Sequence, residues 1–433
     1  MLQNNFSYFS SLFKSKTLKN ISVVLTGGVA NSLLGFLGTV LVLRQLDVEA
    51  IGIIYPLLSI MLMLGQFIDF GITQTCVKLA SSHYHKNPSR ALEIFNTSFR
   101  LKIILSVFTL ILAMVFKGQI SYLLFNDKSY ENWVLVTLLL SFFSIMASFY
   151  TGILQVEGKF KVISLTRVLP SFIKFTILAT LLYVEKLDLF YCYIAFFSVP
   201  VITFLMTFIS SRKDFYKVQI DFRQTSGEIY KYSKWLFVSM VTVAGIGQLD
   251  SLMVRSMQGS HELAILLGGL KLSSILLVFA VALITILLPK VSSMQGPKEL
   301  NFFIRKVLLF SPLFLILIVI GIPIARFLIP ILLSEKYIES IPVFQIYFIG
   351  FCLDLFLTPF GLVLLKLNKE RRLASLNVAQ LLLNLIGNYF LIPLYGAEGA
   401  AISSMSLRLL GILFTLVLLY RSGVLFYREK PGQ

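Results

Sequence analysis

The chain has 433 residues, of which 57% are hydrophobic and 14% charged, and its mean hydropathy is +0.85. Soluble domains hold roughly 45–50% apolar and about 25% charged residues, which sets aside a soluble enzyme, a disordered chain and a nucleic-acid binder together. The net charge is +17, and its placement along the chain, given below, assigns it to membrane topology.

A helix needs about 20 mostly apolar residues to cross the bilayer core. Twelve runs of that kind predict an all-α polytopic membrane protein, with spans at 21–43, 51–75, 100–116, 133–155, 162–184, 189–210, 233–257, 263–288, 304–325, 341–365, 373–395 and 397–420. The first span gathers Gly28, Asn31, Gly35 and Gly38 on one face and ends at Arg44. That face permits close packing or leaves room for a cargo. Asp69 and Gly71 stand at the end of the second span, and Lys174 lies within the fifth. The seventh carries Asp250 and ends at Arg255, Lys271 falls early in the eighth, and Asp354 lies in the tenth. In the eleventh, Asn377, Gln380, Asn384 and Asn388 recur at intervals of three, four and four, which is one helical face. Arg408 is in the twelfth.

A charge at the bilayer centre costs about 2.5–3.5 kcal/mol on insertion scales, so it faces protein or a wet cavity. Lys174, Lys271 and Arg408 are candidates to hold an anionic headgroup, because an anion leaving water needs cationic donors. The alternative pairs these three cations with Asp69, Asp250 and Asp354 as structural ion pairs. Asp250 is also a candidate for ion coupling or gating, although a partner for Lys271 or Arg255 is its plainer role. Asp69 with Gly71 shapes the inner end of the second span, and Asp354 stays open as a gating candidate. Arg44 and Arg255 either lock one state by pairing with Asp47, Glu49 or Glu262, or anchor at the interface. The carboxamide stripe of span eleven suits sugar hydroxyls, or glues helices together.

With the N-terminus inside, inner segments hold 28 of the 38 Lys and Arg. Outer segments hold seven: Arg44, Lys117, Lys128, Lys186, Arg255, Arg326 and Lys336. This alternation is the positive-inside pattern and puts both termini in the cytoplasm. The lead-in cations Lys14, Lys16 and Lys19 belong to it. The longest polar interruption, 211–231, falls after six spans. It predicts a six-helix lobe over 1–210, a cytoplasmic linker over 211–227 and a second lobe over 228–433. Six is even, so any repeat is parallel, about an axis along the membrane normal. Leu41-Val42-Leu43-Arg44 matches Leu252-Met253-Val254-Arg255, and Ile153 to Lys159 matches Leu364-Leu365-Lys366-Leu367-Asn368-Lys369.

No metal or cofactor is expected. Cys76, Cys192 and Cys352 each lie inside an apolar stretch, and the i, i+2 spacing of His83-Tyr84-His85 does not put both rings on one helical face. No phosphate loop or nucleophile–base pattern occurs, which argues against an enzyme and leaves an ion gradient, Na+ or H+, or substrate supply as the energy source. The short outer loops disfavour a membrane polymerase or glycosyltransferase.

Three stretches carry a family resemblance. Ile68-Asp69-Phe70-Gly71-Ile72-Thr73-Gln74-Thr75 is followed by Lys78-Leu79-Ala80. Leu43-Arg44-Gln45-Leu46-Asp47 has Gly52 and Tyr55 downstream. The span-eleven row leads into Leu391-Ile392-Pro393-Leu394-Tyr395-Gly396-Ala397-Glu398-Gly399-Ala400-Ala401. Together they resemble the polysaccharide-exporter branch of the multidrug/oligosaccharidyl-lipid/polysaccharide (MOP) superfamily, in particular Wzx-type O-antigen flippases, over essentially the whole chain. The resemblance implies two six-helix lobes around a central cavity in a bacterial cytoplasmic membrane. It also implies export of an undecaprenyl-diphosphate-linked oligosaccharide by alternating access, with polysaccharide polymerase machinery as a partner. A cation-coupled multidrug exporter of the same superfamily is the alternative, but such exporters carry an acid deep in the first span and this one has none.

Overall fold

A computed structural model describes residues 16–423 except 85, 220, 295, 310, 368 and 369. Lys14, His85, Asn368 and Lys369 of the sequence reading lie outside the described residues. Those described form fourteen α-helices and two short 3-10 turns, with no strand among them. Ten helices are long and apolar enough to cross a membrane, or eleven when one bent pair is taken as a span.

The chain divides into two compact units. One takes the described residues up to Gly38 together with Leu57–Ala244. The other takes Thr39–Pro56 and the described residues from Gly245 onward. Helix α1 (Lys16–Gln45), α2 (Val48–Asp69) and α8 (Phe222–Gln258) therefore each change unit part-way along their length.

In the first unit, α2 stops at Asp69 rather than running to residue 75, because Phe70 and Gly71 both take positive φ (47° and 67°). Helix α3 (Ile72–His83) restarts beyond this break. Phe70 stacks on Phe237 with ring centres 4.3 Å apart. Helix α4 (Pro88–Phe125) starts with Pro88 behind an Asn87 cap that accepts from the Arg90 N–H, and it ends at Asn126 in the left-handed region. Its 38 residues span about 57 Å, well beyond a ~30 Å hydrocarbon core, so its ends reach past the membrane. Ile104, Val107, Phe108, Ile111 and Val115 are exposed on one helical stripe, while Lys102, Ser106 and Ala113 are buried. That arrangement is a soluble helix turned inside out, as lipid contact demands. Helices α5 (Glu131–Val156), α6 (Phe160–Tyr183) and α7 (Leu189–Ser210) complete the bundle. The segment expected as a linker is tied down here. Phe215, in a 3-10 turn over Asp214–Lys217, is fully buried beside Phe95, Phe99 and Phe149. The Arg212 guanidinium, at 2.8 Å, holds the Asp214 carboxyl below the usual carboxylate range.

In the second unit, the eighth predicted span is not straight. Helices α9 (Ser260–Ser273) and α10 (Leu276–Ser293) meet at 41° across Ser274 and Ile275. Helices α11 (Pro297–Leu309), α12 (Ser311–Leu333) and α13 (Ser340–Lys366) follow. Helix α14 runs over Glu370–Arg421 but is broken at Gly396 (φ 53°, ψ −130°). The two sides of the break fold back on each other. The Gln380 amide donates to Leu407 O at 3.0 Å, and Gly387 and Leu391 lie against Ser403 and Gly399 respectively. Glu262 accepts the Ala397 N–H at 2.7 Å, capping the returning segment with a negative charge where a helix N-terminus favours one.

Candidate functional site

Among the described residues, an acid-centred polar cluster is buried in each unit. In the second, Asp250 of α8 is 6% exposed, a placement that costs several kcal/mol unless donors surround the carboxylate. Four do. Oδ1 accepts from Asn388 at 2.7 Å and Asn384 at 3.1 Å, and Oδ2 from the Tyr347 hydroxyl at 2.7 Å and from Ser404. The donors come from α13 and from both arms of the α14 hairpin, so the fold at Gly396 is what closes the ring around Asp250. Both asparagines are fully buried, and the Asn388 side-chain oxygen has no hydrogen-bond partner. Beside this ring, Arg408 donates to Asp354 at 2.8 Å and to Ser404 O at 3.2 Å, and lies 4.8 Å from the Phe351 ring centre.

In the first unit, Lys102 of α4 meets Asp69 at 2.6 Å, with the lysine side chain fully buried. Lys102 also donates to Ser148 at 2.9 Å and Ile145 O at 3.1 Å, while Thr73 donates its hydroxyl to Asp69. Asp69 thus ends α2, starts α3 and binds α4, which in turn binds α5.

The remaining sequence candidates sit as follows. Lys271, half-buried on α9, has its ammonium 5.7 Å from the Tyr55 ring centre; its expected acid, Asp250, is held by the neutral donors above. Lys174 is 9% exposed with its ammonium 4.7 Å from the Phe196 ring centre. Asn31 accepts from Ser171, Asn377 is half-buried and Arg44 is exposed. Arg255 donates to Gly52 O at 2.8 Å rather than only facing loop acids. Asn384 and Asn388 are spent on Asp250 instead of standing open to a sugar. Sequence reasoning missed Lys102, Tyr347 and Ser404. Lys102 counted as an edge cation because the apolar run begins at 100, whereas the helix begins at Pro88; the Asn87-Pro88 cap was the available signal. Tyr347 and Ser404 are neutral hydroxyls in apolar runs and carry no signal of their own.

Residues 17–295 match the family described as polysaccharide biosynthesis protein. The chain belongs to that family. A Shigella flexneri protein described as an O-antigen transporter is 24% identical over 378 residues, covering 86% of this chain and 88% of that protein. Among solved structures, the lipid II flippase MurJ in an inward closed conformation superposes with a TM-score of 0.73 at 16% identity, covering 92% of this chain and 87% of that one. An inward-facing multidrug resistance MATE transporter of the MOP superfamily gives a TM-score of 0.67 at 14% identity, covering 90% and 95%. This polysaccharide biosynthesis family member thus has the MOP fold and is a multi-pass membrane protein.

Proposed function

We propose that this family member carries an undecaprenyl-diphosphate-linked oligosaccharide, an O-antigen or related surface-glycan unit, from the inner to the outer leaflet of a bacterial cytoplasmic membrane. The similarity to an O-antigen transporter along 378 residues carries the reading. In this reading the chain crosses twelve times with both termini inside. Two lobes, the expected halves 1–210 and 228–433 but with 39–56 in the second and the chain up to Ala244 in the first, alternate access, and the exported unit passes to polymerase machinery. Lys271 meets the diphosphate, since its ammonium faces an aromatic ring rather than a carboxylate, and Lys174 is a second contact. A cationic drug would gain nothing from either lysine, which favours this cargo over the multidrug alternative.

The Asp250 cluster is the proposed coupling site. It concentrates two carboxylate oxygens, carboxamide oxygens and the Ser404 hydroxyl, and hard cations take oxygen donors. Na+ or a proton there would compete with the Asn384 and Asn388 donors and so alter how α8 meets the α14 hairpin. The test is genetic. Loss of the gene should remove the surface glycan and leave its lipid-linked unit on the inner leaflet, and Lys271→Arg should restore more export than Lys271→Gln. Normal surface glycan without the gene would refute the proposal.

A further inference from the structure

Pro56 lies inside α2 and has no N–H, so the carbonyl four residues earlier, that of Gly52, is left without its helical donor. Arg255 fills the gap: its Nε–H donates to Gly52 O at 2.8 Å, and the residue is only 9% exposed. On the other arm of the same hairpin, Leu46 follows the last residue of α1, where helix carbonyls also lack helical donors. The Lys336 ammonium donates to Leu46 O at 2.8 Å, and a cation at that end is favoured by the helix dipole. The fit is close. A side chain at Gly52 would bring its Cβ to 2.5 Å from Ser260 Cβ and 3.1 Å from Ser260 Cα, so the first turn of α2 meets the start of α9 only because position 52 has none. All of these residues belong to the second unit, which takes Thr39–Pro56 while α1 before residue 39 and α2 after residue 56 belong to the first. The hairpin leaves that unit at Pro56, the residue whose missing N–H frees the gripped carbonyl.

We infer that Arg255 and Lys336 form a releasable clasp on the main chain of the 39–56 hairpin, with Pro56 supplying the carbonyl that Arg255 holds. The clasp rests on the transport reading for its use, as a contact made and broken during a cycle, but not for its existence. The hairpin also buries Val42, Leu43, Ile51 and Ile54, so the two main-chain bonds add a directional grip to that packing. Because they take main-chain oxygens, the two bonds themselves use no side chain of the hairpin; the one side-chain demand is the glycine at position 52.

The experiment reads hairpin release directly, in the full chain reconstituted in lipid nanodiscs. Ile51 is fully buried, so Ile51→Cys reports opening through its rate of maleimide labelling; the native Cys76, Cys192 and Cys352 are buried and supply the background rate. Arg255→Met should raise the rate about tenfold, the scale of a lost charged hydrogen bond, and Lys336→Met about threefold. In a Pro56→Ala background the alanine N–H donates to Gly52, so adding Arg255→Met should change the rate by less than about twofold. An unchanged rate in Arg255→Met, or an equal rise with and without Pro56→Ala, would overturn the clasp. If Arg255→Met does not accumulate, Arg255→Lys makes the same comparison, with a rise that Pro56→Ala must again suppress. Labelling as expected in a chain that exports no glycan would refute the transport reading and leave the clasp standing.

Discussion

Lys102 and Asp69 show how a buried charge pair can be costly to break without being a source of net stability. Removing one partner strands the other in a dry interior, at about 3–5 kcal/mol, whereas replacing both can be nearly neutral. Lys102→Met alone should therefore lower the thermal unfolding midpoint of the detergent-purified protein sharply, and Asp69→Asn with Lys102→Met should regain most of the loss. Equal midpoints for the single and double variants would show that the pair is not coupled. Asp250 makes a different demand, because its four partners are neutral. Asp250→Asn keeps the shape, so expression should persist while cation-dependent export is lost; full cation-dependent export by that variant would remove Asp250 from the coupling site. The acids at both clusters were legible in the sequence, since a carboxylate in an apolar run stands out. Their partners were not, because Tyr347 and Ser404 look like ordinary apolar-helix residues and Lys102 hid at the edge of its run.

At the scale of elements, apolar runs located most helices, but turn chemistry set where they break. Ten or eleven of the described helices qualify as spans, against twelve predicted; one of the difference is the pair of predicted spans that merge across Gly396, and the other is the bent α9–α10 pair. The predicted boundary between the spans 373–395 and 397–420 falls at the same residue, Gly396. What it could not reveal was that Glu262, on a distant helix, caps the returning arm. Gly396 has φ 53°, and a Cβ there would run into Glu262 Oε2, so Gly396→Ala should cost about 1–2 kcal/mol from backbone strain before any displacement of Glu262 is counted. Glu262→Gln should cost less, about 0.5–1 kcal/mol, because the cap keeps an oxygen and loses only its charge. Denaturant titration of helix content would order the two, and the reverse order would mean that the hairpin depends on the cap more than on its backbone. The 41° bend between α9 and α10 had no proline to announce it. Ser273 and Ser274 donate their hydroxyls to Gly269 O and Lys271 O respectively, within the last turn of α9, and competing side-chain bonds of that kind bend helices.

For the whole molecule, charge placement is the feature of the sequence that predicts orientation, because moving Lys and Arg across a bilayer is what insertion resists. The topology it gives can be tested independently of transport. Lys128, Glu185, Glu335, Lys86, Lys217 and Lys298 are all exposed, so single cysteines there should label from outside at the first three positions and from inside at the last three. One exchanged position would break the map. Composition and periodicity could not show that α1, α2 and α8 each divide between two compact units, since helical pattern is continuous across Gly38, Pro56 and Gly245. The central claim is that the chain moves a lipid-diphosphate-linked glycan, and reconstituted translocation tests it most directly. Purified protein in liposomes loaded with a fluorescent undecaprenyl-diphosphate oligosaccharide should expose that lipid to an external glycan-cleaving enzyme faster than protein-free liposomes do. The account predicts that Lys271→Ala abolishes most of the gain, that Lys271→Arg keeps more of it, and that a neutral lipid-linked glycan gains little. Equal translocation of the charged and neutral lipids, or none by the unaltered chain, would contradict it.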